Sequence, residues 1–135
     1  MKTAVFTFGR FNPPTIGHEK LINAVIAVNQ REGGTAFIYG SHTQDSRKNP
    51  LTHKQKFKYL KEMYSSKKKI FQSRSTVKNP LEAADELSGK YNKLIMIAGS
   101  DRVTEFKSLL NTYNGKKGGH GSYEFEEIEV KSAGE

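Results

Sequence analysis

The 135-residue chain has no cysteine, which excludes disulfides and thiolate metal sites and permits a reducing compartment without requiring one. No apolar run approaches the roughly 18 residues that cross a bilayer. The opening MKTAVFTFGR carries one lysine and an apolar stretch that breaks at Gly9, unlike a secretory leader. A cytoplasmic protein with no membrane partner is therefore expected. Internal repeats and low-complexity segments are missing, as are the G-x-G-x-x-G dinucleotide fingerprint and the Walker A pattern. His42, His53 and His120 show no ligand spacing, so no zinc site is expected and no protein metal ligand is named.

What is present suits one compact domain spanning residues 1–135, with 35% apolar and 27% charged residues. The net charge of +8 is unevenly placed. Between Ser41 and Pro80 eleven basic residues face two acidic ones, an excess of +9, which leaves −1 for the rest. A basic middle suits an anionic partner, whether polyphosphate, nucleic acid or acidic protein. For Lys54 to Lys61, a solvated helix face is the simpler account.

Ala4–Phe8, Ala36–Tyr39 and Leu94–Ala98 are short continuous apolar runs, the pattern of strands buried on both faces of a parallel sheet. Helical patterns follow each. HEKLINAVIAVNQ places Leu21, Val25 and Val28 on one face beside Ile22 and Ile26, and ends near Gly33-Gly34. LTHKQKFKYLKEMY starts with a Thr52–Gln55 capping box and buries Phe57, Leu60 and Tyr64. A weaker strand, KIFQS, precedes NPLEAADELSGK, where Asn79 caps, Pro80 opens, Glu82 completes the box and Gly89 stops the helix. DRVTEFKSLLN turns Val103, Phe106, Leu109 and Leu110 inward, and Asp101 fits its N-cap. NTYNGKKGGHGS reads as a long loop, and YEFEEIEV as an acidic-faced edge strand. The alternation implies an α/β, doubly wound, mostly parallel five-stranded sheet.

Ligands of such sheets sit beyond the carboxyl ends of the strands where strand order reverses, which is where GRFNPPTIGH falls. Gly9 lets the chain leave the strand and a phosphate approach closely, and Pro13-Pro14 stiffens the bend. Gly17 and His18 open a helix whose free amides favour an anion. Thr15 and His18, three apart, can converge on one phosphate, although Thr15 also fits as a cap. Arg47, Lys48 and Arg74 stand near strand ends where they could grip phosphates, and equally fit the surface.

Gly9, Phe11, Pro13, Thr15, Gly17 and His18 together match G-x-F-x-P-x-T-x-G-H. The stretch resembles the [T/H]-x-G-H signature of the nucleotidyltransferase superfamily that includes cytidylyltransferases, phosphopantetheine adenylyltransferase and nicotinamide-mononucleotide adenylyltransferase. GSD at Gly99–Asp101 resembles the family's pocket-lining G-x-D segment, and KNPL at Lys48–Leu51 its NPF or NPL segment. The resemblance implies a Rossmann-like fold of the nucleotidylyl transferase and adenine nucleotide alpha hydrolase-like type. It also implies transfer of AMP or CMP from a nucleoside triphosphate to a phosphorylated small-molecule acceptor, with pyrophosphate released and Mg²⁺ bound through the phosphates.

On this resemblance His18, Thr15 and Arg10 are the catalytic candidates, and Gly9, Phe11, Asn12, Gly17, Gly99 and Asp101 the nucleotide-binding ones. The family's S-[ST]-x-x-[RK] phosphate segment belongs after the fifth strand, and none stands between YEFEEIEV and KSAGE, so a domain lacking its C-terminal phosphate-binding piece is expected. A nucleotide-binding protein without catalysis, part of a larger assembly, is the alternative. Nucleic-acid binding ranks last, because Phe57, Tyr59 and Tyr64 read more economically as core than as stacking platforms. Homo-oligomerisation stays open.

Overall fold

A computed structural model of the chain describes residues 2–9, 16–42, 52–73, 75–118 and 121–133. Its elements run β1 (Thr3–Gly9), α1 (Ile16–Glu32), β2 (Thr35–Gly40), α2 (His53–Met63), a 3₁₀ helix η1 (Ser65–Ile70), α3 (Pro80–Leu87), β3 (Lys93–Ala98), α4 (Val103–Thr112), the two-residue strands β4 (Lys117–Gly118) and β5 (Gly121–Ser122), and β6 (Glu127–Ser132). β2, β1, β3 and β6 form one sheet in that order, with every pairing parallel. β4 and β5 make a small antiparallel ribbon within the expected long loop.

The strands are apolar on both sides because both sides are covered. Ala4, Phe6, Leu94 and Met96 pack with Leu81, Ala84, Leu87 and Leu110, so α3 and α4 cover one face. Val5, Ile95 and Ile97 pack with Ile22, Val25, Phe57 and Leu60, so α1 and α2 cover the other. Adjacent β1 residues therefore enter opposite cores, as the two-residue period requires.

Local signals set the helix starts. The Thr52 hydroxyl accepts from the Gln55 amide at 3.1 Å while the Gln55 side chain accepts from the Thr52 amide at 2.9 Å, the reciprocal box read from the sequence. Asn79 Oδ1 accepts from the Glu82 amide at 2.9 Å, Pro80 occupies the first turn, and Gly89 leaves the helix at φ 87°.

The described residues correct the sequence expectations in several places. The sheet has four strands rather than five. KIFQS contributes only a single parallel bridge, Phe71 to Ile38, because most of the preceding lysines coil into η1 and the Ser73 amide turns back to Phe71 O at 3.0 Å. YEFEEIEV pairs only from Glu127, and before it Tyr123 and Phe125 bury their rings in the α3–α4 core. Lys56, expected on a solvated face, is fully buried in α2, whereas Tyr59, expected in the core, is 51% exposed.

Candidate functional site

β1 pairs with β2 as far as Gly9–Gly40, but its ladder with β3 ends at Phe6–Met96. The next residue keeps the strand ends satisfied without closing the gap: the buried Thr7 hydroxyl donates to Ile97 O at 2.6 Å. β1 leads through α1 to β2 on one side, and the chain later returns to β3 on the other, so strand order reverses at this point. A crevice opens there, at the carboxyl ends of the strands.

The crevice has a volume of about 560 Å³. Its base includes Thr7, Gly9, Met96, Ala98 and Gly99, and Ser41 enters from beyond β2. His18 and Leu21 of α1 form one side. Lys78 and Pro80 at the start of α3, with Arg102 and Phe106 at the start of α4, form the other. Three helix beginnings, those of α1, α3 and α4, thus open beside the strand ends, an arrangement whose free amides favour an anion.

His18 is half-buried in the first turn of α1, and burial lowers its pKa below the ordinary 6.5. A neutral imidazole at neutral pH follows, able to donate one ring N–H and to accept at the other nitrogen. Arg102 forks onto Glu105, with Nε to Oε1 at 3.1 Å and Nη2 to Oε2 at 2.9 Å, and its guanidinium lies 4.6 Å over the Phe106 ring. Lys78 is exposed, and its amide donates to Glu82 Oε1 at 3.0 Å.

Of the candidate residues, the structure brings His18, Gly9 and Gly99 to one crevice, and Gly17 lies in the first turn of α1. Asp101 is exposed and does not line the crevice. Nor does it cap α4. The N-cap is Arg102, without a side-chain capping bond, and the Asp101 carboxylate instead folds back so that a Cβ on Gly99 would lie 2.9 Å from its Oδ1. Arg10, Phe11, Asn12, Thr15, Arg47, Lys48 and Arg74 lie outside the described residues. Ser41, Lys78, Arg102 and Phe106 are crevice residues that sequence reasoning does not single out. Arg102 carries a faint signal, as a cation at the start of a helix that follows β3 in a doubly wound order, whereas α3 follows η1 and Lys78 has no such cue.

An all-parallel sheet with helices on both faces and a crevice at its switch point is a Rossmann-like α/β protein. Residues 6–129 match the family described as cytidylyltransferase-like, and the chain belongs to that family. Membership suggests a nucleotidyltransferase in general. No curated protein and no solved structure matches the chain. Among the described residues, no helix is long and apolar enough to cross a membrane.

Proposed function

We propose that the chain transfers a nucleoside monophosphate, AMP or CMP, from a triphosphate to a phosphorylated small-molecule acceptor. The observation that carries this reading is the meeting of His18, Gly9 and Gly99 in one crevice at the switch point, inside a chain of the cytidylyltransferase-like family. An acceptor phosphate oxygen attacks the α-phosphorus in line, the bond from that phosphorus to the bridging oxygen breaks, and pyrophosphate leaves with the electron pair. Such chemistry asks the protein for positioning and charge neutralisation rather than covalent participation.

His18 donates its N–H to a phosphate oxygen where charge builds on the leaving group. Arg10 and Thr15, in the stretch between Gly9 and α1, supply further phosphate donors. Lys78 adds positive charge from the opposite side, where Arg102 stands paired with Glu105. No carboxylate lines the crevice among the described residues, and no cluster of three or more His, Asp or Glu able to hold a metal occurs among them. Among the described residues the crevice offers Mg²⁺ no carboxylate cage. The cation would arrive on the triphosphate, keeping much of its water.

The test is pyrophosphate release from each ribonucleoside triphosphate against a panel of phosphorylated acceptors. Turnover by the native chain, reduced about 100-fold or more in His18→Ala with its fold intact, is expected. Triphosphate binding with no pyrophosphate from any pair would replace this reading with that of a nucleotide-binding protein. Unchanged turnover in His18→Ala would remove the histidine from the mechanism.

A further inference from the structure

We propose that a second cavity, between β2 and the end of α3, binds a guanine base presented as an uncharged nucleoside. The cavity has a volume of about 510 Å³ and shares no lining residue with the crevice. That volume lies within the roughly 300–1,000 Å³ usual for small-molecule sites. Phe37 and Tyr39 reach it from β2, Glu86 and Leu87 from the last turn of α3, and Lys90 and Tyr91 from the turn that leads into β3. The chain after η1 closes the remaining side.

The walls suit a flat ring. Phe37 and Tyr91 are half-buried and meet edge to face, with centroids 5.7 Å apart and planes at 77°. Two rings at nearly a right angle form a corner, where a planar guest stacks on one and meets the edge of the other. Tyr39, buried and within 15° of parallel to Phe37, holds that corner in place. Its hydroxyl donates to Glu86 Oε2 at 2.7 Å. Burial and the Glu86 carboxylate push the Tyr39 phenol above its ordinary pKa, so it stays a donor and fixes how the carboxylate is turned.

The polar groups select the ring. Glu86 Oε1 accepts no bond among the described residues. The Gln72 amide nitrogen donates to Ile70 O at 3.0 Å and Lys69 O at 3.5 Å, which leaves its side-chain carbonyl to accept. On the donor side, the exposed Lys90 ammonium makes no hydrogen bond or ion pair among the described residues. Ser73 Oγ accepts from Lys61 at 2.8 Å and Ser75 Oγ from the Val77 amide at 3.1 Å, so both hydroxyl protons are left to donate.

One carboxylate and one ammonium balance among the described lining residues, so a phosphate gains no net attraction here, unlike in the crevice. A wholly apolar guest would leave the Glu86 and Gln72 oxygens without donors. Guanine meets both demands on one edge: its N1–H and N2 amino group donate to a carboxylate, and its O6 accepts from an ammonium. Its N7 and the ribose hydroxyls remain for Gln72, Ser73 and Ser75. Adenine sets the acceptor N1 beside its amino group and would turn that lone pair toward Glu86. An aromatic amino acid matches Glu86 and Lys90 with its own charges but leaves Gln72 and the two serines without partners.

Equilibrium dialysis of the native chain against radiolabelled guanosine tests the proposal. A dissociation constant below about 1 mM is expected, with adenosine and tyrosine weaker by about tenfold or more. Glu86→Gln puts an amide donor where an acceptor oxygen stood and should weaken guanosine about tenfold or more. Lys90→Ala, at an exposed position with no side-chain partner to lose, should weaken it by about threefold to tenfold and needs no allowance for misfolding. Excess ATP or CTP should leave guanosine bound, which separates this cavity from the crevice. The proposal is overturned by the absence of guanosine binding at about 1 mM, by adenosine or tyrosine binding as tightly, by an unchanged affinity in either variant, or by displacement with ATP or CTP.

Discussion

The Lys56 ammonium donates to the Ser41 carbonyl at 2.7 Å and to the Ser41 hydroxyl at 3.1 Å, and the Ser41 amide in turn donates to Gly9 O at 2.8 Å. A fully buried cation on α2 thereby fixes the end of β2, and through it Gly9, the last residue of β1, from which the GRFNPPTIGH stretch sets out. The arrangement links the second core helix to the crevice that Gly9 and Ser41 line.

Removing that side chain should be costly. Lys56→Ala deletes a buried four-carbon stem and leaves the Ser41 groups without their ammonium donor, so a loss of about 3 kcal/mol is expected from cavity and unmet hydrogen bonding together. Lys54→Ala, on an exposed neighbouring position, should stay within about 0.5 kcal/mol. Urea unfolding midpoints measure both. Similar shifts for the two variants would show that burial of Lys56 contributes nothing.

Thr7 makes the other bond that shapes the crevice. Thr7→Val keeps the volume but removes the only donor in this pair, leaving Ile97 O short of a partner in a buried place. A loss of about 1–3 kcal/mol follows. Since the crevice opens where the β1–β3 ladder ends, the variant should also raise KM for a triphosphate at temperatures where it remains folded. Wild-type unfolding and kinetics in Thr7→Val would contradict the assignment.

Much of the fold is legible from residue order because the signals are local. The capping pairs Thr52–Gln55 and Asn79–Glu82 lie within one helical turn, and the apolar runs of β1, β2 and β3 report burial on both faces directly. What escapes depends on tertiary neighbours. Lys56 reads as solvent-facing because nothing nearby in sequence announces Ser41, fifteen residues earlier, as its acceptor. KIFQS has the composition of a strand, yet its chain turns after Phe71 has made one bridge. In the candidate site, His18, Gly9 and Gly99 are readable from their motifs, but Lys78 and Arg102 enter the crevice only because the crossovers bring the starts of α3 and α4 beside β1.

At the opposite end of the sheet, Gly33 and Gly34 join α1 to β2 for different reasons. Gly33 sits at φ 66° with open space around it, so Gly33→Ala should cost about 1 kcal/mol of backbone strain. A Cβ on Gly34 would instead strike the backbone carbonyl of Thr3, which cannot move without disturbing β1. Gly34→Ala should therefore lose more stability than Gly33→Ala, about 2 kcal/mol or above. Equal midpoints for the two variants would refute the steric account.

Acid should loosen the same end of β2 that Lys56 holds. His53 stacks on His42 with ring centroids 3.9 Å apart and an interplanar angle of 6°, and its ring lies 4.7 Å from that of Phe57. Burial lowers the His53 pKa below 6.5, and the neighbouring His42 and Lys56 charges push the same way, while the Ser41 and Ser73 backbone groups oppose them. Its Nε2 is buried and makes no hydrogen bond of ordinary geometry among the described residues, so the charged ring would carry an unmet N–H. His18, lowered by burial at the crevice, acts in the same sense. With the folded pKa below the unfolded value, the unfolded chain takes up protons first. The stabilisation from the neutral rings is complete above an unfolded pKa of about 6.5 and is lost as pH falls from there to their folded pKa values. Urea midpoints should fall from about pH 7.5 to about pH 5.5, above the range where most carboxylates titrate. His53→Gln should show a smaller fall than the native chain, and a pH dependence identical in the two proteins would exclude His53 as its source.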